Sequence, residues 1–450
     1  MPPPCRNPSG SGCGSIPIRH SWRLGPAHES TAHRAVDCPA CGSAVLFESL
    51  RVLNAQRKGY GLLLTLLLIS ALPSYIAWAC LAGVFGFYTL KNLRHFSLPK
   101  MPGGICYWVL FLILVAVGAG YFNPAERGYW PYLRDIIDFT SLFLYWFAAS
   151  EIIRTNQYDM KTVYKIIVLY SVILSAGGLL QRVSGYQGAS EDFSSFVASG
   201  GVSQFTLAIG LYLSLFKPSV IEKYYFSRFL DLLADIVLLG TFALSFSRTT
   251  VIIFLCLVIT SQYDRMSAII KCILLGIVGL IAVSYLLPNV WTSFIDKIMN
   301  SVTEISASNS WSDYNIVNNW RGFEVYSAKK VFSQYSIFAQ VFGKGFGSTV
   351  DVGGYAYLVT SEAALPYLHN GYYTTLIKGG ICGMVLTIGY YLTMIHRYMK
   401  LNILRYEKRL CIGMVASMAV SMAVIHGFFW GGAQFVVFCI LGMAEKEEKT

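Results

Sequence analysis

The chain has 450 residues, 55% of them hydrophobic and only 13% charged, with a formal net charge of +11. Soluble domains carry about 25% charged residues, so the composition excludes a soluble enzyme with one buried core, a disordered protein and a coiled coil. The positive excess reports membrane topology, because Lys and Arg gather in cytoplasmic loops, and does not imply nucleic acid as a partner.

Residues 1–50 are rich in Pro, Gly, Ser, Arg and His and lack apolar periodicity, which predicts a disordered tail. Cys38-Pro39-Ala40-Cys41-Gly42 can supply half of a tetrahedral zinc site. No second CxxC stands at a suitable distance, so an unstructured tail is the expectation. No apolar region precedes a cleavage site, and the first span is expected to act as the uncleaved targeting signal.

From residue 51 onward, apolar blocks alternate with short charged loops. The expected spans are 61–72, 74–90, 104–121, 135–153, 163–183, 199–216, 230–246, 249–263, 268–287, 371–394, 410–428 and 431–443. The first two, split around Pro73, form either a hairpin-like pair or one broken helix. This predicts an all-α polytopic membrane protein with about twelve transmembrane helices. Nine lie in 51–288 and three in 371–450, separated by a large loop over 289–370. Basic residues concentrate in alternate loops, as in Arg397, Lys400, Arg405, Lys408 and Arg409. Those loops are expected inside, with both termini in the cytoplasm of a bacterium and the large loop outside. Cys80, Cys106, Cys256, Cys272, Cys411 and Cys439 sit in apolar stretches and read as small buried hydrophobes.

The 289–370 loop is aromatic-rich. Trp320, Phe323, Val325, Ala328, Val331, Phe332 and Tyr335 recur at helical spacing. They predict an amphipathic helix over Trp320 to Phe338, lying on the outer membrane surface or roofing a cavity.

Charges at a membrane edge are costly and therefore suspect. Arg248, in Ser245-Phe246-Ser247-Arg248-Thr249-Thr250, falls at a tight turn between two apolar runs. A guanidinium there either grips phosphate oxygens bidentately or snorkels to lipid headgroups. Arg321, in Trp320-Arg321-Gly322-Phe323-Glu324, either binds an anion or pairs with Glu324 along the helix surface. His369, in Leu368-His369-Asn370-Gly371-Tyr372, is the histidine of the outer loop. Arginines nearby disfavour a protonated imidazole, which suits acceptance of a hydroxyl proton. His426, near the outer end of its span, is the competing histidine. Phe342-Gly343-Lys344-Gly345-Phe346-Gly347-Ser348 is either an anion-binding backbone loop or a flexible turn. The Walker pattern, HExxH, GxSxG and an outer-loop DxD pair are all missing. An outer face dominated by arginine plus one histidine suits a diphosphate ligand handled without metal.

Ser247-Arg248, Trp320-Arg321 followed by Gly343-Lys344-Gly345-Phe346-Gly347, and Leu368-His369-Asn370-Gly371 leading into Lys378-Gly379-Gly380-Ile381-Cys382-Gly383 occur in that order. With them, residues 55–445 resemble the O-antigen ligase and O-antigen polymerase superfamily of bacterial polysaccharide membrane proteins. The resemblance implies a C-type glycosyltransferase fold in the inner membrane, with the active site on the periplasmic face. It implies a glycan donor on undecaprenyl diphosphate and an acceptor hydroxyl, on lipid A–core in a ligase or on another lipid-linked repeat in a polymerase. Arg248 and Arg321 would grip the diphosphate, and His369 would be the general base of an inverting transfer. Lys344 and Asn370 would assist from behind, with no metal, nucleotide or other cofactor. The shared motifs leave ligase and polymerase open, with the HN-containing motif tilting toward the ligase. A transporter of lipid-linked sugars is the rival outside the enzyme class. It would be betrayed by repeated halves and midplane charges.

Overall fold

The computed structural model describes most of residues 61–92, 105–122, 129–185, 203–263, 311–355, 364–425 and 433–448, with scattered positions between 267 and 295. The tail with Cys38 and Cys41, His426 and most of the ninth expected span lie outside the described residues.

The described part is helical. After a helical stretch over 61–69 come α1 (Ser74–Asn92), α2 (Ile105–Phe122), α3 (Tyr129–Asn156), α4 (Met160–Gly185), α5 (Gln204–Leu215), α6 (Arg228–Ser245), α7 (Arg248–Ser261), α8 (Trp320–Ser333), α9 (Ile337–Phe342), α10 (Gly371–Lys400), α11 (Arg405–Ser421) and α12 (Ala433–Glu447). Pro73 itself, where the sequence splits the first two spans, lies outside the described residues. Tyr129–Ile153, Met160–Gln181 and Gly371–Lys400 are long and apolar enough to cross a membrane. At 1.5 Å per residue, the 30 residues of α10 reach about 45 Å, beyond the roughly 30 Å hydrocarbon layer. Apolar side chains also face outward in stripes: Ile381, Val385, Ile388 and Leu392 on α10, and Val251, Leu255 and Ile259 on α7. Stripes that would be a liability in water suit a lipid solvent.

The bundle interior is one continuous apolar cluster that includes Phe139, Tyr164, Tyr212, Leu257, Met414 and Phe438. Helices α7 and α11 run antiparallel. Gly413 lies against Thr260, and Ser417 Oγ, one turn further along α11, donates to the carbonyl of Ile253, which precedes Thr260 on α7. The start of α7 and the end of α11 therefore share one end of the bundle. At the opposite end Arg397 pairs with Glu445 at 2.9 Å, and Lys446 donates to the Tyr158 carbonyl.

The large loop builds a second, smaller core. Phe323, Ala328, Tyr335, Val350, Leu365 and Leu368 pack there around the entry of α10. Val350 and Leu365 exchange two backbone hydrogen bonds at 2.8 and 2.9 Å. The expected single amphipathic helix is two helices, α8 and α9, broken between Ser333 and Ile337 by the Ser336 N-cap.

A glycine-lined crossing joins this cap to the bundle. Gly345 has φ +82° and lies so close to Gly120 that a Cβ would fall 1.8 Å from its amide nitrogen. Gly380, at φ +63°, kinks α10 where Val341 passes; a Cβ there would fall 2.4 Å from the Val341 carbonyl oxygen. Only residues without Cβ allow these backbones to touch. The Gly345→Ala protein should therefore aggregate or elute heterogeneously in size-exclusion chromatography. Gly354→Ala, at φ +89° with open space around it, should lose only the roughly 1–3 kcal/mol of backbone strain. Equal behaviour of the two variants would contradict the close-crossing argument.

Candidate functional site

The site is assembled at the bundle end where α7 begins and α11 finishes. Ser247 caps α7, its hydroxyl accepting from the Thr250 amide, and Arg248 is the first helical residue, half-buried. Where the sequence expects a tight turn, α6 ends at Ser245 and α7 begins at Arg248.

His369 sits on the short segment entering α10. Asn370 fixes that segment. Its side-chain oxygen accepts from the Tyr372 and Tyr373 amides, and its Nδ2 donates to the Ala423 carbonyl at 3.1 Å. The Gly371 amide donates to Met422 and Ile425 carbonyls. An Asn N-cap stabilises a helix by about 1 kcal/mol. Here it also staples His369 to the turn after α11, at the Arg248 end of the bundle.

The partner of His369 is Glu324. The carboxylate is 2% exposed, with Oε1 at 2.9 Å and Oε2 at 3.0 Å from His369 Nδ1. Its Oε2 also accepts the His369 backbone amide at 2.9 Å, and its Oε1 accepts Trp320 Nε1–H. A carboxylate only accepts, so in the neutral ring the proton sits on Nδ1 and Nε2 is the proton-accepting nitrogen. The imidazole side chain remains 30% exposed, open to a reactant. Arg321 lies one residue after Trp320 and one turn before Glu324, half-buried on α8.

The helix-surface position expected of Glu324 is not found: Glu324 is a buried acceptor for His369 and Trp320. The i, i+4 spacing of Trp320 and Glu324 was the available signal.

The glycine run also departs from both expectations. It is neither a flexible turn nor an anion cradle, because its amides are occupied. Lys344 and Gly345 donate to Ile377 and Lys378 carbonyls, Phe346 to Ala116, and Gly347 to Asp135 Oδ2 at 2.7 Å. The Lys344 ammonium lies 4.9 Å from the Tyr335 ring centre, a cation–π contact.

Beneath His369 lies a buried polar cluster that motif reading missed. Lys378, 2% exposed inside α10, donates to Asp135 Oδ2 on α3 and to the Ser348 carbonyl. Tyr367, two residues before His369, bonds Asp135 Oδ1. Burial and the neighbouring Asp135 carboxylate push the Tyr367 phenol up. Asp135, Asp138 and Lys378 all stand inside apolar helices, and the rule that made Arg248 a suspect points to them equally.

Thus His369 and Asn370 share one segment, Glu324 ties to it the helix that carries Arg321, and the helix that Arg248 opens begins at the same bundle end. Compared with known proteins, the chain matches no protein-family model and no curated sequence.

Hydrogen bonds to a charged group contribute about 1.5–3 kcal/mol, enough for a better than tenfold tautomer preference. Nitrogen NMR of histidine-labelled protein should show His369 as the Nδ1–H tautomer, with that preference lost in Glu324→Gln. A dominant Nε2–H tautomer in the unmodified protein would contradict the geometry.

Proposed function

We propose that this chain is an O-antigen ligase-like glycosyltransferase of the bacterial inner membrane. It moves a glycan from undecaprenyl diphosphate to an acceptor hydroxyl, on lipid A–core or a similar glycolipid, at the periplasmic face. The observation that carries this reading is the buried Glu324 carboxylate holding His369 by Nδ1 while the ring edge stays accessible. Such a pair needs a proton to take, and an acceptor hydroxyl supplies one.

In this reading His369 Nε2 removes the hydroxyl proton as the oxygen attacks the anomeric carbon from the face opposite the diphosphate. The bond from that carbon to the diphosphate oxygen breaks, inverting the configuration. The departing lipid diphosphate keeps the electron pair, and Arg248 and Arg321 stabilise its charge. Glu324 stabilises the imidazolium formed. Asn370 fixes the segment, and Lys344 adds a cation to the mouth. The reaction requires no metal or nucleotide. The chain crosses the membrane about twelve times in a C-type glycosyltransferase architecture, with both termini in the cytoplasm. The resemblance of the ordered motifs supports this topology, as do the helices found at the expected spans and the bundle end shared by Arg248 and His369.

A polysaccharide profile of a deletion strain tests the reading. Long polymer stranded on the lipid carrier beside bare lipid A–core marks a ligase, whereas single repeats attached to core mark a polymerase. An unchanged profile sinks both. His369→Ala should accumulate normally yet lower transfer by about 10²–10⁴-fold, the usual contribution of a general base. Arg321→Lys should be severely impaired, because an ammonium cannot reproduce a bidentate grip. Full complementation by either variant removes the role assigned to that residue.

A further inference from the structure

Tyr367 presents a proton-counting problem. Its hydroxyl lies 2.5 Å from Asp135 Oδ1 and 2.6 Å from Asp138 Oδ2. A phenol has one proton to donate, and one proton cannot lie along both lines. If both acids were ionised, an oxygen lone pair of Tyr367 would face a carboxylate oxygen at hydrogen-bonding distance with nothing between them. A second proton resolves the contact. One carboxyl donates to the Tyr367 oxygen, and Tyr367 donates to the other.

The surrounding donors decide which acid holds it. Asp135 Oδ2 accepts the Lys378 ammonium and the Gly347 amide, so Asp135 is the ionised partner of a buried cation. Protonating Asp135 would strip Lys378 of its counter-charge at 2% exposure, a costly state. Asp138 is left as the donor. Among the described residues, the other charged or titratable groups facing the pair are Arg134, whose guanidinium lies 5.3 Å from the Tyr367 ring centre, and Tyr145 further along α3. Helices α1, α2 and α12 meet this stretch of α3 through Trp78, Val117 and Phe435, which do not titrate.

We propose that Asp138 is a proton-binding site: a neutral carboxylic acid whose O–H···Tyr367–O–H···Asp135 chain latches the His369 segment onto α3. The latch stands apart from any glycosyl transfer, since it requires only these four side chains. Ionising Asp138 sets two carboxylates against one phenol and releases the segment.

The test uses the full chain in detergent or nanodiscs. The infrared difference spectrum between the unmodified protein and Asp138→Asn near neutral pH should contain the carbonyl stretch of a protonated carboxylic acid. An asparagine amide donates the same hydrogen bond, so Asp138→Asn should fold as well as the unmodified protein. Asp135→Asn, which orphans Lys378, should be unstable. Hydrogen–deuterium exchange of the 364–370 peptide gives the functional readout. Opening the latch releases one proton, so on alkalinisation exchange should rise about tenfold per pH unit beyond the chemical rate while the closed state holds that proton. In Asp138→Asn it should follow the chemical rate alone. A missing acid band, failure of Asp138→Asn to fold, or identical pH dependence of the two proteins would each overturn the proposal.

Discussion

The ion pair between Lys378 and Asp135 is the constraint on which the site depends. Burying an ammonium and a carboxylate costs several kcal/mol each unless their mutual attraction and further hydrogen bonds offset it. Here they do: Lys378 reaches Asp135 and the Ser348 carbonyl, while Asp135 also takes Gly347 N–H and Tyr367 O–H. One pair therefore holds α3, α10, the glycine crossing and the segment before His369 at a single point. Removing either partner would leave an uncompensated charge inside an apolar bundle, at about 3–5 kcal/mol.

From that anchor the mouth is built by short, separately explicable contacts. Asn370 ties the start of α10 to the turn after α11. Glu324 carries α8 to the same place, because its carboxylate accepts from Trp320 and from two atoms of His369. The antiparallel packing of α7 on α11 delivers Arg248 to this end. A polar ring side chain thus sits where cap and bundle meet, rigidly backed and open on one edge. That preorganisation is what the general-base role proposed for His369 would require.

Glycine plays a structural part that its motif obscures. In a sequence, Gly343-Lys344-Gly345-Phe346-Gly347 invites an anion-binding reading. In the fold the lack of Cβ atoms lets the run pass against Gly120 and the Gly380 kink, and its amides are spent on backbone carbonyls and Asp135. The nearby anion is a protein carboxylate, and the run is a joint between cap and bundle.

Hydropathy placed the described helices because a backbone polar group in an apolar stretch must be satisfied within the stretch, and that rule is local. The end of one helix and the start of the next around Ser247 were legible for the same reason, whereas the cap made by Asn370 showed only in the structure. His369, Arg248 and Arg321 could be singled out by chemistry and position. Their relation could not. That Glu324 is buried against His369, and that Asp135 meets Lys378 across more than two hundred residues, follows from how cap and bundle close on each other. The sequence determined which groups were too polar to be left alone. Only the tertiary structure decided their partners, because charge compensation acts through space and the chain's order does not specify it.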